Sequence, residues 1–152
     1  MLIALLAAAT LQADKLDLPA PAPVVMDYLA AAGSQVWVPA GNTGKVFVLD
    51  GPGKPFRTID GFATKKGRND RLMGPSSVSL STSTAFIGNR GDSSVCEFER
   101  GSLKKKSCAT IPGIPDGTFW VRQEPRVQTM RIRVSRATLA SGQRHRGCAG
   151  RP

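Results

Sequence analysis

Residues 86–117 read FIGNRGDSSVCEFERGSLKKKSCATIPGIPDG, and the fold turns on how this stretch divides. VCEFE at 95–99 and KKSCATIP at 105–112 mix β-branched, aromatic and alternating polar residues. Asn, Gly, Asp and Ser cluster at NRGDS (89–93) and RGSL (100–103). Alternating runs bounded by such clusters are the grammar of strand, turn, strand. Upstream, TAFIG at 84–88 and SSVSL at 76–80 supply two more candidate strands.

The same order occurs earlier in the chain. Candidate strands VMDYLA (25–30), QVWVP (35–39), KVFVLD (45–50) and FRTIDGF (56–62) alternate with the turns GNTG (41–44) and GPGKP (51–55). No stretch between residues 25 and 114 has a 3.6-residue apolar period. Sliding the chain by 49 places Val36 on Ala85, Trp37 on Phe86, Val46 on Val95, Leu49 on Phe98, Asp50 on Glu99 and Thr58 on Ser107. A polar insertion, ATKKGRNDRLMG at 63–74, separates the two units. Four short antiparallel strands recurring at 40 to 50 residues are the mark of propeller blades. The expected fold is all-β: a partial β-propeller of about two four-stranded antiparallel blades, at 25–62 and 75–112, with an irregular C-terminal tail.

Asn89, Gly91, Ser93 to Val95, Phe98, Lys105, Ala109 to Pro112, Pro115 and Gly117 resemble the YVTN-type β-propeller repeat. The unit at 36–61 resembles it more loosely, and the likeness covers about residues 25–118. It implies a secreted or periplasmic binding or scaffold protein. Related propellers include lactonases and other enzymes, and fold does not decide among these activities. Propellers usually close with four to eight blades. The expectation is therefore a chain that pairs with protein partners or missing blades, or else aggregates. Trp37, Phe47, Phe86 and Phe98 would then lie on incompletely covered sheets.

The composition agrees with a globular chain: 152 residues, 41% apolar and 21% charged. A net charge of +10 by itself suggests an acidic partner. The charge is unevenly placed, with 13 Lys and Arg against 10 Asp and Glu up to residue 118, then eight Arg against one Glu. The arginine-rich stretch 119–152 loses the turn grammar and is expected to be disordered or non-native. Its arginines form no helical stripe and few aromatics accompany them, so nucleic-acid binding is the weaker reading. At the other end, Leu2 to Leu11 is an apolar run like a signal-peptide core, with small residues at Ala9 and Ala13. Residues 1–13 are thus a candidate signal peptide, and 14–24 a Pro/Ala spacer. The run is too short to span a bilayer, and no transmembrane segment is expected.

Candidate chemistry is sparse. Arg90-Gly91-Asp92 matches the adhesion triplet, but Asn, Gly and Asp are also what a hairpin turn selects. Counting outward from Ser102 sets Glu99 against Lys105 and Cys96 against Cys108. An exported protein could bridge that cysteine pair; two buried free thiols are the alternative. Lys104, Lys105 and Lys106 do not share one strand face, and pairing with Glu97 and Glu99 is the plainer reading. Asp27, Asp50, Asp60, Asp92 and Asp116 could hold a divalent cation, although such aspartates are usually structural. No catalytic, metal or cofactor residue is assigned. The first histidine is His145, which excludes a Ser-His-Asp triad within the strand-rich region. The ligand-facing candidates are Lys65, Lys66, Arg68, Asn69, Asp70 and Arg71 in the insertion.

Overall fold

A computed structural model describes residues 15–120 and 132–136. The candidate signal segment 1–13, His145, Cys148 and most of the arginine-rich tail lie outside them. The fold is all-β. Strands β1 (Ala30–Ala32), β2 (Gln35–Ala40), β3 (Lys45–Leu49) and β4 (Arg57–Ile59) form one four-stranded antiparallel meander. Strands β5 (Lys65–Lys66) and β6 (Leu72–Met73) form a small hairpin. Strands β7 (Pro75–Leu80), β8 (Thr84–Asn89), β9 (Ser94–Glu99) and β10 (Lys105–Thr110) form a second four-stranded meander. Finally β11 (Pro115–Trp120) pairs with β12 (Ile132–Arg136).

Two expectations are corrected here. Residues 25–29 do not pair with β2. Asn42 accepts from the Val25 backbone N–H at 2.9 Å, and Tyr28 forms a parallel bridge with Ser77. These bonds draw the segment along the edge of β7, so the first strand shrinks to Ala30–Ala32. The insertion is a hairpin around a single 3-10 turn at Arg68–Asp70. The tail is not irregular throughout: residues 132–136 pair with β11.

The sheets are stacked face to face. Trp37, Val46, Val48 and Ile59 from the first sheet meet Val78, Ala85, Ile87, Cys96 and Phe98 from the second in one buried cluster. The opposite face of the first sheet carries Val38, Ala40 and Phe47, which pack under Leu18, Ala20 and Val24 of the spacer. The opposite face of the second sheet lies against β11, where the Thr118 hydroxyl sits 3.3 Å from Ser77 Oγ. Trp37, Phe47, Phe86 and Phe98 are consequently at most 4% exposed. The four side chains themselves are thus covered, while the face that carries Phe47 keeps an apolar groove bordered by Val36, Val38, Leu49 and Phe56. The spacer and β11 provide cover that strand counting alone did not foresee.

Candidate functional site

The described residues concentrate their polar order at the turns that join the sheets. On one rim lie the turn after β2, the turn 89–93 after β8, and the β5–β6 hairpin. The turn at 89–93 is closed by its own side chains. Asn89 Oδ1 accepts from the Gly91 N–H at 3.1 Å, while Asn89 Nδ2 donates to Asp92 Oδ1 at 2.9 Å. That same Asp92 oxygen accepts from the Ser94 N–H at 3.2 Å and the Ser94 hydroxyl at 2.6 Å. Gly91 is pressed against the insertion: a methyl group there would stand 1.9 Å from the Ala63 carbonyl oxygen. Only glycine tolerates so close an approach of two backbones.

Arg90 faces inward and fastens three segments. Its guanidinium donates to Asp27 Oδ2 at 2.6 Å, to Asp116, and to the Pro115 carbonyl at 3.3 Å. Asp27 lies ahead of the first sheet and Asp116 is the second residue of β11. The side chains of Arg90, Asp27 and Asp116 are only 22 to 29% exposed. Charge-assisted bonds in such partly dry surroundings are stronger than their solvent-exposed counterparts. The Arg-Gly-Asp triplet is thus spent within the protein. Arg90 is an internal clamp and Asp92 a turn acceptor.

Two further arginines fasten the opposite rim. Arg100 donates to Gln35 Oε1 at 2.9 and 3.1 Å, to the Ala32 carbonyl at 3.1 Å and to the Ser81 carbonyl at 2.6 Å. It therefore ties the β1–β2 turn to the β7–β8 turn. Arg57 donates to Asp50 at 2.6 and 3.0 Å and to the Gly101 carbonyl at 2.7 Å. The hydrogen bond from Arg57 holds the Asp50 carboxyl below its ordinary value, against an opposing push from burial, with help from Gln35.

The aspartates weighed as cation ligands are all engaged in this way. Asp27 and Asp116 meet Arg90, Asp50 meets Arg57, Asp60 meets Lys45 at 3.0 Å, and Asp92 caps its turn. Among the described residues no three His, Cys, Asp or Glu side chains converge as a metal site would require.

The hairpin β9–β10 corrects the expected register. Lys105 is opposite Phe98, not Glu99, and a bulge at Lys106 precedes the pairs Ser107–Glu97 and Cys108–Cys96. A bulge adds one residue to one strand and re-aims its side chains. Lys106 accordingly turns back toward Glu97 at 3.6 Å and Thr84 Oγ1 at 3.3 Å, while Glu99 accepts from Ser102 at 2.6 Å. Cys96 and Cys108 form a disulfide between strand neighbours whose Cα atoms are 4.0 Å apart.

Of the insertion residues, Lys65, Lys66, Arg68, Asp70 and Arg71 are exposed. Lys66 and Asp70 form a surface ion pair at 3.5 Å. Arg71 also reaches a cavity of about 90 Å³ beside Asp27, Met73 and Arg90. That space is well under the 300 Å³ or so at which ligand pockets begin. Sequence reasoning missed the clamping by Arg57, Arg90 and Arg100. Each sits in or beside a turn, and no local pattern says that its partners lie up to 68 residues away.

No protein-family model matches the chain, and no curated protein matches it. No helix among the described residues is long and apolar enough to cross a membrane.

Proposed function

We propose that the chain is a non-catalytic binding or scaffold module built on two consecutive β-propeller blades and the opening strand of a third, of YVTN type, in an exported protein. The observation that carries this reading is a recurrence of backbone detail at the 49-residue shift seen in the sequence. Gly41 N–H donates to the Val25 carbonyl at 2.8 Å, and Arg90 N–H to the Gly74 carbonyl at 2.9 Å. Phe62 N–H donates to the Gly44 carbonyl at 3.1 Å, and Ile111 N–H to the Ser93 carbonyl at 2.8 Å. Gly44 and Ser93 both have left-handed backbones, with φ of 67° and 58°. Strands β2 and β8, and β3 and β9, begin 49 residues apart. Four coincident details at one shift support a structural unit used twice.

The contact of residues 28 and β11 with the edge and flank of β7 supports the same reading. In a propeller the first strand of every blade lines the central axis. The ligand-facing element in this reading is the exposed hairpin at 65–73, set on the rim where inter-blade loops gather. The competing reading is a fragment of a lactonase-like propeller enzyme. In that reading the catalytic blades lie outside these residues, so assaying the full-length gene product with Ca²⁺ or Mg²⁺ and a panel of simple lactones separates the two. No turnover above buffer is expected; metal-dependent turnover, lost on chelation, would sink the scaffold reading.

A further inference from the structure

The two four-stranded sheets end differently along the chain. The last strand of the first sheet is β4 and that of the second is β10, and each is an edge strand. β4 has three residues and follows Pro55. Short strands and prolines blunt an edge against further pairing. β10 has six residues and no proline, and all six are exposed.

The register decides which backbone groups β10 presents. The Ile111 N–H donates to the Ser93 carbonyl at 2.8 Å, and Thr110, Ala109 and Cys108 stand opposite Ser94, Val95 and Cys96. An antiparallel ladder bonds through every second residue. Ser107, Ala109 and Ile111 thus direct their backbone groups to β9. The N–H and C=O groups of Cys108 and Thr110 point off the sheet, where no strand meets them among the described residues. The Cys96–Cys108 bridge holds this edge to β9 in one register. An edge ordered beforehand loses less entropy when it is bound.

The charge along this edge has one sign. Lys104, Lys105 and Lys106 gather at its start, and no Asp or Glu follows as far as Thr110. Lys106 turns back to Glu97 at 3.6 Å, whereas Lys104 and Lys105 have no carboxylate partner among the described residues. Opposite charges on neighbouring strands attract and like charges repel. An anionic strand therefore suits this edge, and the arginine-rich sequence 119–152 has the wrong sign for it.

We infer, independently of the propeller reading, that β10 is a docking strand for an extended acidic segment of a partner protein. The segment adds to the second sheet as a fifth strand. Recognition of this kind takes its affinity from main-chain hydrogen bonds and its selectivity from side chains. The added strand runs antiparallel to β10, as every neighbour in the sheet does. Its backbone pairs with Cys108 and Thr110, and its acidic C-terminal end meets Lys104 and Lys105.

Fluorescence anisotropy of a labelled peptide, Thr-Val-Thr-Val-Glu-Asp-Glu, titrated with the full chain tests this. Saturable binding that weakens with added salt is expected. The peptide of reversed order, with its acids at the wrong end, should bind about fivefold more weakly. Lys104→Glu combined with Lys105→Glu should weaken binding about tenfold or more; both side chains are exposed, so this variant does not threaten folding. Thr110→Pro removes one outward N–H and leaves the bonds to β9 in place, and should cost about fivefold, the worth of one hydrogen bond. On adding the peptide, amide exchange should slow at Cys108 and Thr110 and stay unchanged in β4. No binding at about 1 mM, the weak end of measurable association, would make the lysines mere guards of the edge and overturn the proposal. Binding indifferent to the lysine reversals, or amide protection that bypasses β10, would overturn it equally.

Discussion

At the scale of the residue, the arginines do more than the composition suggests. Arg90 neutralises two carboxylates that belong to different segments. Removing it leaves Asp27 and Asp116 close together without a counter-charge, and leaves the Pro115 carbonyl without its donor. Arg90→Ala should lower stability by about 2 kcal/mol, less than the loss for a fully buried pair because water reaches the site. Urea unfolding should show the midpoint falling with an unchanged slope. Asp50 makes a separate prediction in acid. Its carboxyl is held low by Arg57, so the folded state binds its proton less readily than the unfolded chain does. The stabilisation is complete at neutral pH and disappears as pH falls through the lowered value, beneath about pH 4. Asp50→Asn should therefore cost stability at pH 7 and cost little at the most acidic pH where the fold survives. Equal losses at both pH values would show that the ion pair is not the cause.

At the scale of the element, the strands and turns of residues 35–110 were legible because their determinants are local. Asn89 and Asp92 close a turn with bonds no more than three residues apart in sequence, and alternating residues on either side fix the strands. The bulge at Lys106 was not legible. Nothing in KKK says which lysine is extra; that choice is made by the cysteine pair and by Glu97 across the hairpin. Nor was the fate of residues 25–29, because Asn42 and Ser76, which tie them down, are distant in sequence. The candidate site was legible only as a set of exposed residues in the insertion. Its hairpin form depends on tight backbone packing against Gly41 and Gly91. The β9–β10 disulfide closes a loop of sequence separation 12. Replacing both cysteines by serine should cost about 2–3 kcal/mol by the loop-closure argument, measured as a lower thermal midpoint. Tryptic digestion without reductant should yield Cys96 and Cys108 in one linked species. Finding both as free, alkylated thiols would contradict the bridge.

At the scale of the whole molecule, stability comes from layers that cover one another. Neither four-stranded sheet has a dry core of its own. Trp37 and Val48 are fully buried only because the second sheet lies over them. Truncating Trp37 to Ala should cost about 3–5 kcal/mol and loosen both sheets together, because its cavity opens between them. Hydrogen exchange after this substitution should rise in β8 and β9 as well as in β2 and β3. A rise confined to the first sheet would mean that the two layers are stable independently.

The central claim is that the two meanders stack as neighbouring units along one axis. The most direct test is nuclear Overhauser contact in the isotope-labelled protein. The Trp37 indole should show contacts to the side chains of its cluster on the second sheet, Val78 and Ile87 foremost. Tyr28 should show the backbone contacts of a parallel bridge to Ser77. Contacts confined within each sheet, with none between Trp37 and the second sheet, would contradict the account.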